Sequence, residues 1–144
     1  IRALADLPGY DLVIAGSGPY GDGLRRVARE SGVDDRVEFA GFVPDEDLPS
    51  LYAGAAAHVS LSSFEAYGIT IAEALAAGTP CVVREAGALS DWTDRVDCVG
   101  VDLCGVADGV REAVERTAPS ESVPTWDDVV EAVDGIYERV GKAS

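Results

Sequence analysis

The chain has 144 residues and a mass of 15.0 kDa, the size of one domain. A chain of that length buries about two-thirds of its unfolded surface, so a hydrophobic core forms without disulfide or metal staples. Asp and Glu number 26 against 11 Lys and Arg, for a net charge of −15 and a pI near 4.2, which excludes nucleic-acid or anionic-membrane binding by net charge.

In chain order, Asp11-Leu12-Val13-Ile14-Ala15 is an apolar run ending in Gly16-Ser17-Gly18-Pro19, a buried strand entering a glycine turn. From about Gly21 to Ser31, Leu24, Val27 and Ala28 recur at helical spacing, and Gly32 closes the helix. Val37-Glu38-Phe39-Ala40-Gly41 predicts a second strand. Pro44-Asp45-Glu46-Asp47 predicts a second helix, carboxylates in its first turn, burying Leu48, Leu51 and Tyr52. Ala57-His58-Val59-Ser60-Leu61 is a third strand, Ser62 to Gly68 a loop, and Ile69 to Ala77 a helix closed by Gly78-Thr79-Pro80. Cys81-Val82-Val83 is a fourth strand, 85–97 an irregular acidic stretch, and Cys98 to Asp102 a fifth strand. Helices follow at about 106–117 and 126–141. Short apolar strands alternating with helices predict an α/β fold, a doubly wound parallel sheet covered on both faces. Such sheets bind ligands at the carboxyl ends of their strands, which singles out the loops Gly16–Pro19, Gly41–Pro44, Ser62–Gly68 and Arg84–Ala88.

The segment from Ser62 to Pro80 carries the chemistry. Glu73 has Ile69, Thr70, Ala76 and Ala77 as its helical neighbours, none of them a cation. The helix is apolar nearly all round, which predicts burial. A lone carboxylate there needs donors or a cleft. Two readings stay open: it accepts hydrogen bonds from a ligand's hydroxyls, or it is satisfied by protein amides or solvent. Glu65 lies on the loop ahead of the helix, and Glu73 about one turn inside it, ~6 Å along the axis. Gly68 permits close backbone approach or is a plain turn; the N–H groups of Ile69, Thr70 and Ile71 form an anion site at the helix start. Thr70 by itself reads more simply as a cap. A phosphate between two hydroxyl-binding carboxylates describes a nucleotide sugar.

The same segment resembles the Glu-x7-Glu signature of the GT-B retaining glycosyltransferases of family 4, the group 1 type that includes sucrose synthases and bacterial mannosyltransferases. Leu12 to Pro19 is similar to that family's first strand and glycine loop, and Arg36 to Val43 to its second strand. Gly78-Thr79-Pro80 matches the close of the signature helix, and Trp126 the aromatic opening the last helix. The resemblance covers residues 4–102 well and the tail weakly. It implies a Rossmann-like domain over 1–144, the C-terminal, donor-binding half of a GT-B fold, with the N-terminal acceptor domain outside this chain. The full enzyme would move a hexose from a nucleoside diphosphate sugar to an acceptor hydroxyl with retention. This half alone is then expected to be inactive.

The resemblance also implies roles. Glu65 would contact the donor sugar's hydroxyls beside the reacting carbon, as the catalytic residue. Glu73 would hold the ribose hydroxyls, and the amides of Gly68, Ile69 and Thr70 the diphosphate. Phe42 and Val43 would meet the base, Gly16 and Ser17 would line the cleft, and Tyr67, where Phe is common, would border the donor. No cofactor and no metal is implied. The partners would be the nucleotide-sugar donor, the missing N-terminal domain and an acceptor, lipid-linked or a small molecule, with no nucleic acid. Several departures matter. The family's diphosphate-neutralising Arg and Lys precede the segment where this chain begins, so weak donor binding is expected. Leu61 stands where Pro is common, and the stretch after Arg84 is short. Alternatives are a nucleotide-sugar-binding module without turnover and a UDP-N-acetylglucosamine epimerase-like GT-B domain, although no acid–base set for the latter is evident.

The remaining features carry less. Cys81, Cys98 and Cys104 are odd in number and lack C-x-x-C spacing, so free thiols and a cytoplasmic setting are expected, or the inner membrane surface through the missing domain. His58, the sole histidine, reads as a satisfied structural residue. Gly16-Ser17-Gly18 departs from the G-x-G-x-x-G spacing of a dinucleotide site. The dispersed acidic excess, with Lys142 the only lysine, points to an acidic, halophilic protein whose self-repulsion salt would screen.

Overall fold

A computed structural model describes residues 1–95, 97–116 and 123–134, with 126, 129 and 132 excepted. Among the described residues up to 116, five strands alternate with four helices: β1 (Leu12–Ala15), α1 (Gly21–Glu30), β2 (Val37–Gly41), α2 (Leu48–Ala53), β3 (His58–Ser60), α3 (Ile69–Ala76), β4 (Cys81–Arg84), β5 (Cys98–Val101) and α4 (Val106–Glu115). Short 3-10 turns occupy Arg2–Asp6, Asp34–Arg36 and Gly87–Trp92. Every strand pair is parallel, as the βαβ rhythm requires. The strands fall into two sheets, β1-β2 and β3-β4-β5. Both border one core: Leu12 and Val37 from the first pair and Val59 from the second pack against the same apolar cluster.

The winding on both faces follows from the two-residue period of the strands. Val82, Val99 and Val101 face a cluster completed by Val106, Val110 and Ala113 of α4 and by Leu4 and Leu7 beside the first 3-10 turn. Their neighbours Cys81, Val83 and Cys98 face the opposite cluster, with Ile71, Ala74 and Leu75 of α3, Tyr52 of α2, and Leu89 and Trp92. Gly109 brings α4 against the sheet, because a β-carbon there would run into Val101 Cγ1 and lie 3.2 Å from Val82 Cγ1. Arg36 ties the amino-terminal turn down by donating to the carbonyls of Leu4, Leu7 and Tyr10 at 2.9–3.0 Å.

Several local expectations are corrected. The carboxylates of Asp45 and Glu46 precede α2 in a turn instead of lying in its first turn. The helix starts only at Leu48, with Pro49 in the first turn, where a missing N–H costs nothing. The stretch 85–97, expected to be irregular, contains the 3-10 turn Gly87–Trp92, with Leu89 and Trp92 buried. Of the helix expected at 126–141, residues 127, 128, 130, 131, 133 and 134 are helical; Trp126 and 135–141 lie outside the described residues. Thr125 and Asp128 form a reciprocal cap there: Asp128 Oδ2 accepts the Thr125 N–H, and the Asp128 N–H donates to Thr125 Oγ1. No helix among the described residues is long and apolar enough to cross a membrane.

Candidate functional site

The predicted site residues fall into two groups, one in the loops that follow β1 and β2 and one in the loop and helix that follow β3. Gly16 follows β1 with φ +106°, and its N–H donates to the Gly41 carbonyl at 2.6 Å. That bond ties the loop carrying Gly16 and Ser17 to the one carrying Phe42 and Val43. Phe42 is 80% exposed, a large apolar ring left in solvent. The second group follows β3: Glu65, Tyr67, Gly68, Ile69, Thr70 and Glu73. Among the described residues no hydrogen bond joins the two groups.

Gly68 sets the geometry of the second group. It caps α3 in the left-handed conformation, φ +93° and ψ +48°, which L side chains adopt at a cost. It is also buried, and a β-carbon there would lie 3.0 Å from both Ile71 Cδ1 and Trp92 Nε1. Only glycine satisfies both constraints. The Gly68 carbonyl accepts the N–H groups of Ile71 and Ala72, at 2.9 and 3.2 Å. Of the three amides expected to be free, the one of Ile71 is therefore already used. Those of Ile69 and Thr70 have no acceptor among the described residues, and no side chain caps the helix. The structural cap is Gly68, so Thr70 does not serve as the N-cap.

The helix is not buried all round, as its composition had suggested. Ile71, Ala74 and Leu75 are buried, whereas Ile69, Thr70, Glu73 and Ala76 form an exposed stripe, with Ile69 62% exposed. Those positions are three and four apart and share one face. Glu73 is thus in solvent, one turn beyond the free amides, and is not a buried carboxylate seeking relief. Its Oε2 accepts a hydrogen bond from the Tyr52 phenol at 3.0 Å. Burial first, and then the bond to Glu73, push that phenol up to about 12, so it stays a neutral donor at any physiological pH.

Glu65 is exposed, and its Oε1 accepts the Ala66 N–H at 3.1 Å, folding the carboxylate over its own loop. Ser62 steadies the start of that loop, donating its hydroxyl to the Phe64 carbonyl and accepting the Phe64 N–H. Trp92 steadies the end: its indole N–H donates to the Tyr67 carbonyl at 2.6 Å, and the two rings meet edge to face at 5.4 Å. The Tyr67 ring itself remains half exposed. Reading the sequence alone missed Trp92. Its signal was a tryptophan inside an acidic stretch, since a buried indole N–H needs an acceptor. Tyr52 was read only as core.

His58 is structural, but not fully satisfied. Its ring stands edge to face on Tyr52 at 5.5 Å, and its Nε2 is buried with no hydrogen-bond partner among the described residues. Burial lowers its pKa from the usual 6.5. Cys81, Cys98 and Cys104 are free thiols. Cys81 and Cys98 are buried register partners on β4 and β5.

Parallel strands alternating with helices, with a glycine-capped helix, two free amides and a pair of carboxylates eight residues apart following β3, make a Rossmann-like domain. The family model "Glycosyl transferases group 1" matches residues 1–93, and the chain belongs to that family. It is 33% identical over 142 residues to an uncharacterized glycosyltransferase of Methanocaldococcus jannaschii, covering 88% of this chain and 36% of that protein. It is 32% identical over 157 residues to the D-inositol 3-phosphate glycosyltransferase of Mycolicibacterium smegmatis, covering 96% of this chain and 36% of that enzyme. Among solved structures, Anabaena HepE in complex with UDP and glucose superposes with a TM-score of 0.70 at 25% identity, over 78% of this chain and 33% of that one. The chain therefore spans about a third of the length of the relatives it matches.

Proposed function

We propose that this chain is the C-terminal, nucleotide-sugar-binding half of a retaining hexosyltransferase, whose acceptor is bound by a domain outside these residues. The observation that carries the reading is Glu73, an exposed carboxylate anchored, among the described residues, through one oxygen only, one helical turn beyond the amides of Ile69 and Thr70, which have no acceptor among those residues. A carboxylate accepts two ribose hydroxyls well, and helix-start amides suit a diphosphate. HepE, a relative in fold, is described with UDP and glucose, and with UDP-glucose, which supports a nucleotide-sugar donor here.

In this reading Glu65 turns from its own loop to the donor sugar's hydroxyls and orients the anomeric carbon, contributing to rate through alignment. The leaving diphosphate gathers charge against the amides of Gly68, Ile69 and Thr70. The acceptor hydroxyl bonds to the anomeric carbon on the face where the bond to the diphosphate breaks, its proton passing to the departing phosphate oxygen, which preserves configuration. Phe42 and Val43 receive the base, beside Gly16 and Ser17. The net charge of −15 fits a protein adapted to high salt.

The test is calorimetric titration of the chain with UDP, GDP and ADP, before and after Glu73→Ala. The substitution sits on an exposed helix face and costs the Tyr52 phenol its acceptor; the folded chain is expected to bind the preferred nucleotide about tenfold more weakly, the worth of one or two charged hydrogen bonds. Unchanged affinity removes the ribose role.

A further inference from the structure

We infer that Tyr52 is a positioning residue for Glu73, holding that carboxylate in the orientation that receives the ribose; the inference rests on the ribose reading of Glu73 given above. A glutamate on an exposed helix face samples several rotamers, and a ligand that needs one of them must first freeze the others. Here the freezing is done in advance. The Tyr52 hydroxyl donates to Oε2 at 3.0 Å and leaves Oε1 without a protein donor among the described residues. Donation to one oxygen fixes where the other points.

The donor is itself immobile. Tyr52 is buried at the end of the short helix α2, with its ring standing on the edge of His58 at 85° between planes. Its backbone carbonyl accepts the Thr79 hydroxyl at 2.6 Å, and Thr79 closes α3 through its own N–H to Ala74. Both ends of the Tyr52–Glu73 bond are thus anchored to the same turn of chain. The phenol has no other hydrogen-bond partner among the described residues, so the bond to Glu73 is its outlet. A tyrosine serving only the core would be replaced by phenylalanine at little cost; here the hydroxyl spans two helices to a group the core does not contain.

The experiment compares a nucleoside diphosphate, the tightest of UDP, GDP and ADP, with its 2′,3′-dideoxy counterpart on the same protein samples at up to millimolar ligand. The wild-type chain is expected to prefer the ribose form about tenfold. Tyr52→Phe is expected to cut that preference to about twofold while leaving the dideoxy affinity unchanged, because the dideoxy sugar offers Glu73 nothing to hold. Both ligands meet one sample, so any loss of folded protein divides out of the ratio. Tyr52→p-aminophenylalanine keeps a donor at that place and is expected to restore most of the preference. In a Glu73→Ala background, Tyr52→Phe is expected to change neither affinity. A preference that survives Tyr52→Phe overturns the positioning role and leaves the ribose reading standing, as does an equal loss for both ligands. A wild-type chain that binds the two forms alike, or neither of them, removes the ribose reading and the inference with it.

Discussion

Gly68→Ala probes the turn on which the candidate site is built. The alanine must adopt φ near +93°, a region that costs an L residue roughly 1–2 kcal/mol. Its β-carbon must also share space with Ile71 Cδ1 and Trp92 Nε1, each 3.0 Å away, and with Leu89 Cδ2 at 3.4 Å. Ile71 and Leu89 are fully buried and have no room to yield, and the Trp92 indole is held by its bond to Tyr67. Overpacking of that kind costs roughly 1–3 kcal/mol. Reduced freedom of the unfolded chain returns roughly 0.4–1 kcal/mol. The balance is a loss of about 3 kcal/mol, or a fall in melting temperature of about 10 °C for a domain of this length. Urea denaturation followed by circular dichroism measures it, and indole fluorescence reports whether Trp92 has moved. Trp92→Leu in the same chain is expected to make the two losses less than additive, because the shorter side chain vacates the contact. A Gly68→Ala loss below about 1 kcal/mol with nucleotide affinity intact would refute both the strained cap and the close contact.

The other expectations are simpler. Gly109→Ala gains roughly 1 kcal/mol of helix propensity but pushes a methyl into Val101 and Val82, so chemical denaturation should read a net loss of about 1 kcal/mol; a stabilised variant would mean that α4 stands off the sheet. Burial holds His58 below its usual 6.5, so on acidification the unfolded chain takes up that proton first. Stability is then constant above 6.5 with respect to this group and falls as pH drops below it. His58→Phe, which keeps a ring on Tyr52, should flatten the curve just below pH 6.5, and an unchanged slope would assign it to carboxylates instead. With a net charge of −15, the melting temperature should rise from low to molar KCl; a flat response removes the halophilic proposal.

Much of this protein was written in the one-dimensional pattern. Strand and helix order follows from apolar runs broken by glycine, because periods of two and of 3.6 residues are local properties. Val37–Gly41 and Gly21–Glu30 lie where their sequences put them. The signature stretch was legible too, since Gly68, the free helix start and the spacing from Glu65 to Glu73 all sit within a few turns of chain. What failed was local inference about surroundings. The apolar composition of α3 predicted burial on every side, yet Ile69, Thr70 and Glu73 are exposed, because only one face of a helix can lie against one sheet.

Tertiary structure alone decided which distant groups serve that stretch. Tyr52 is 21 residues from Glu73, and Trp92 is 25 from Tyr67, and no periodicity connects them. A buried phenol or indole announces that it needs an acceptor, but the identity of the acceptor depends on how separate elements pack around a shared core. Local spacing sets what each segment can be; the contacts that orient a side chain arise only when segments far apart in the chain are brought together by burial of their apolar faces.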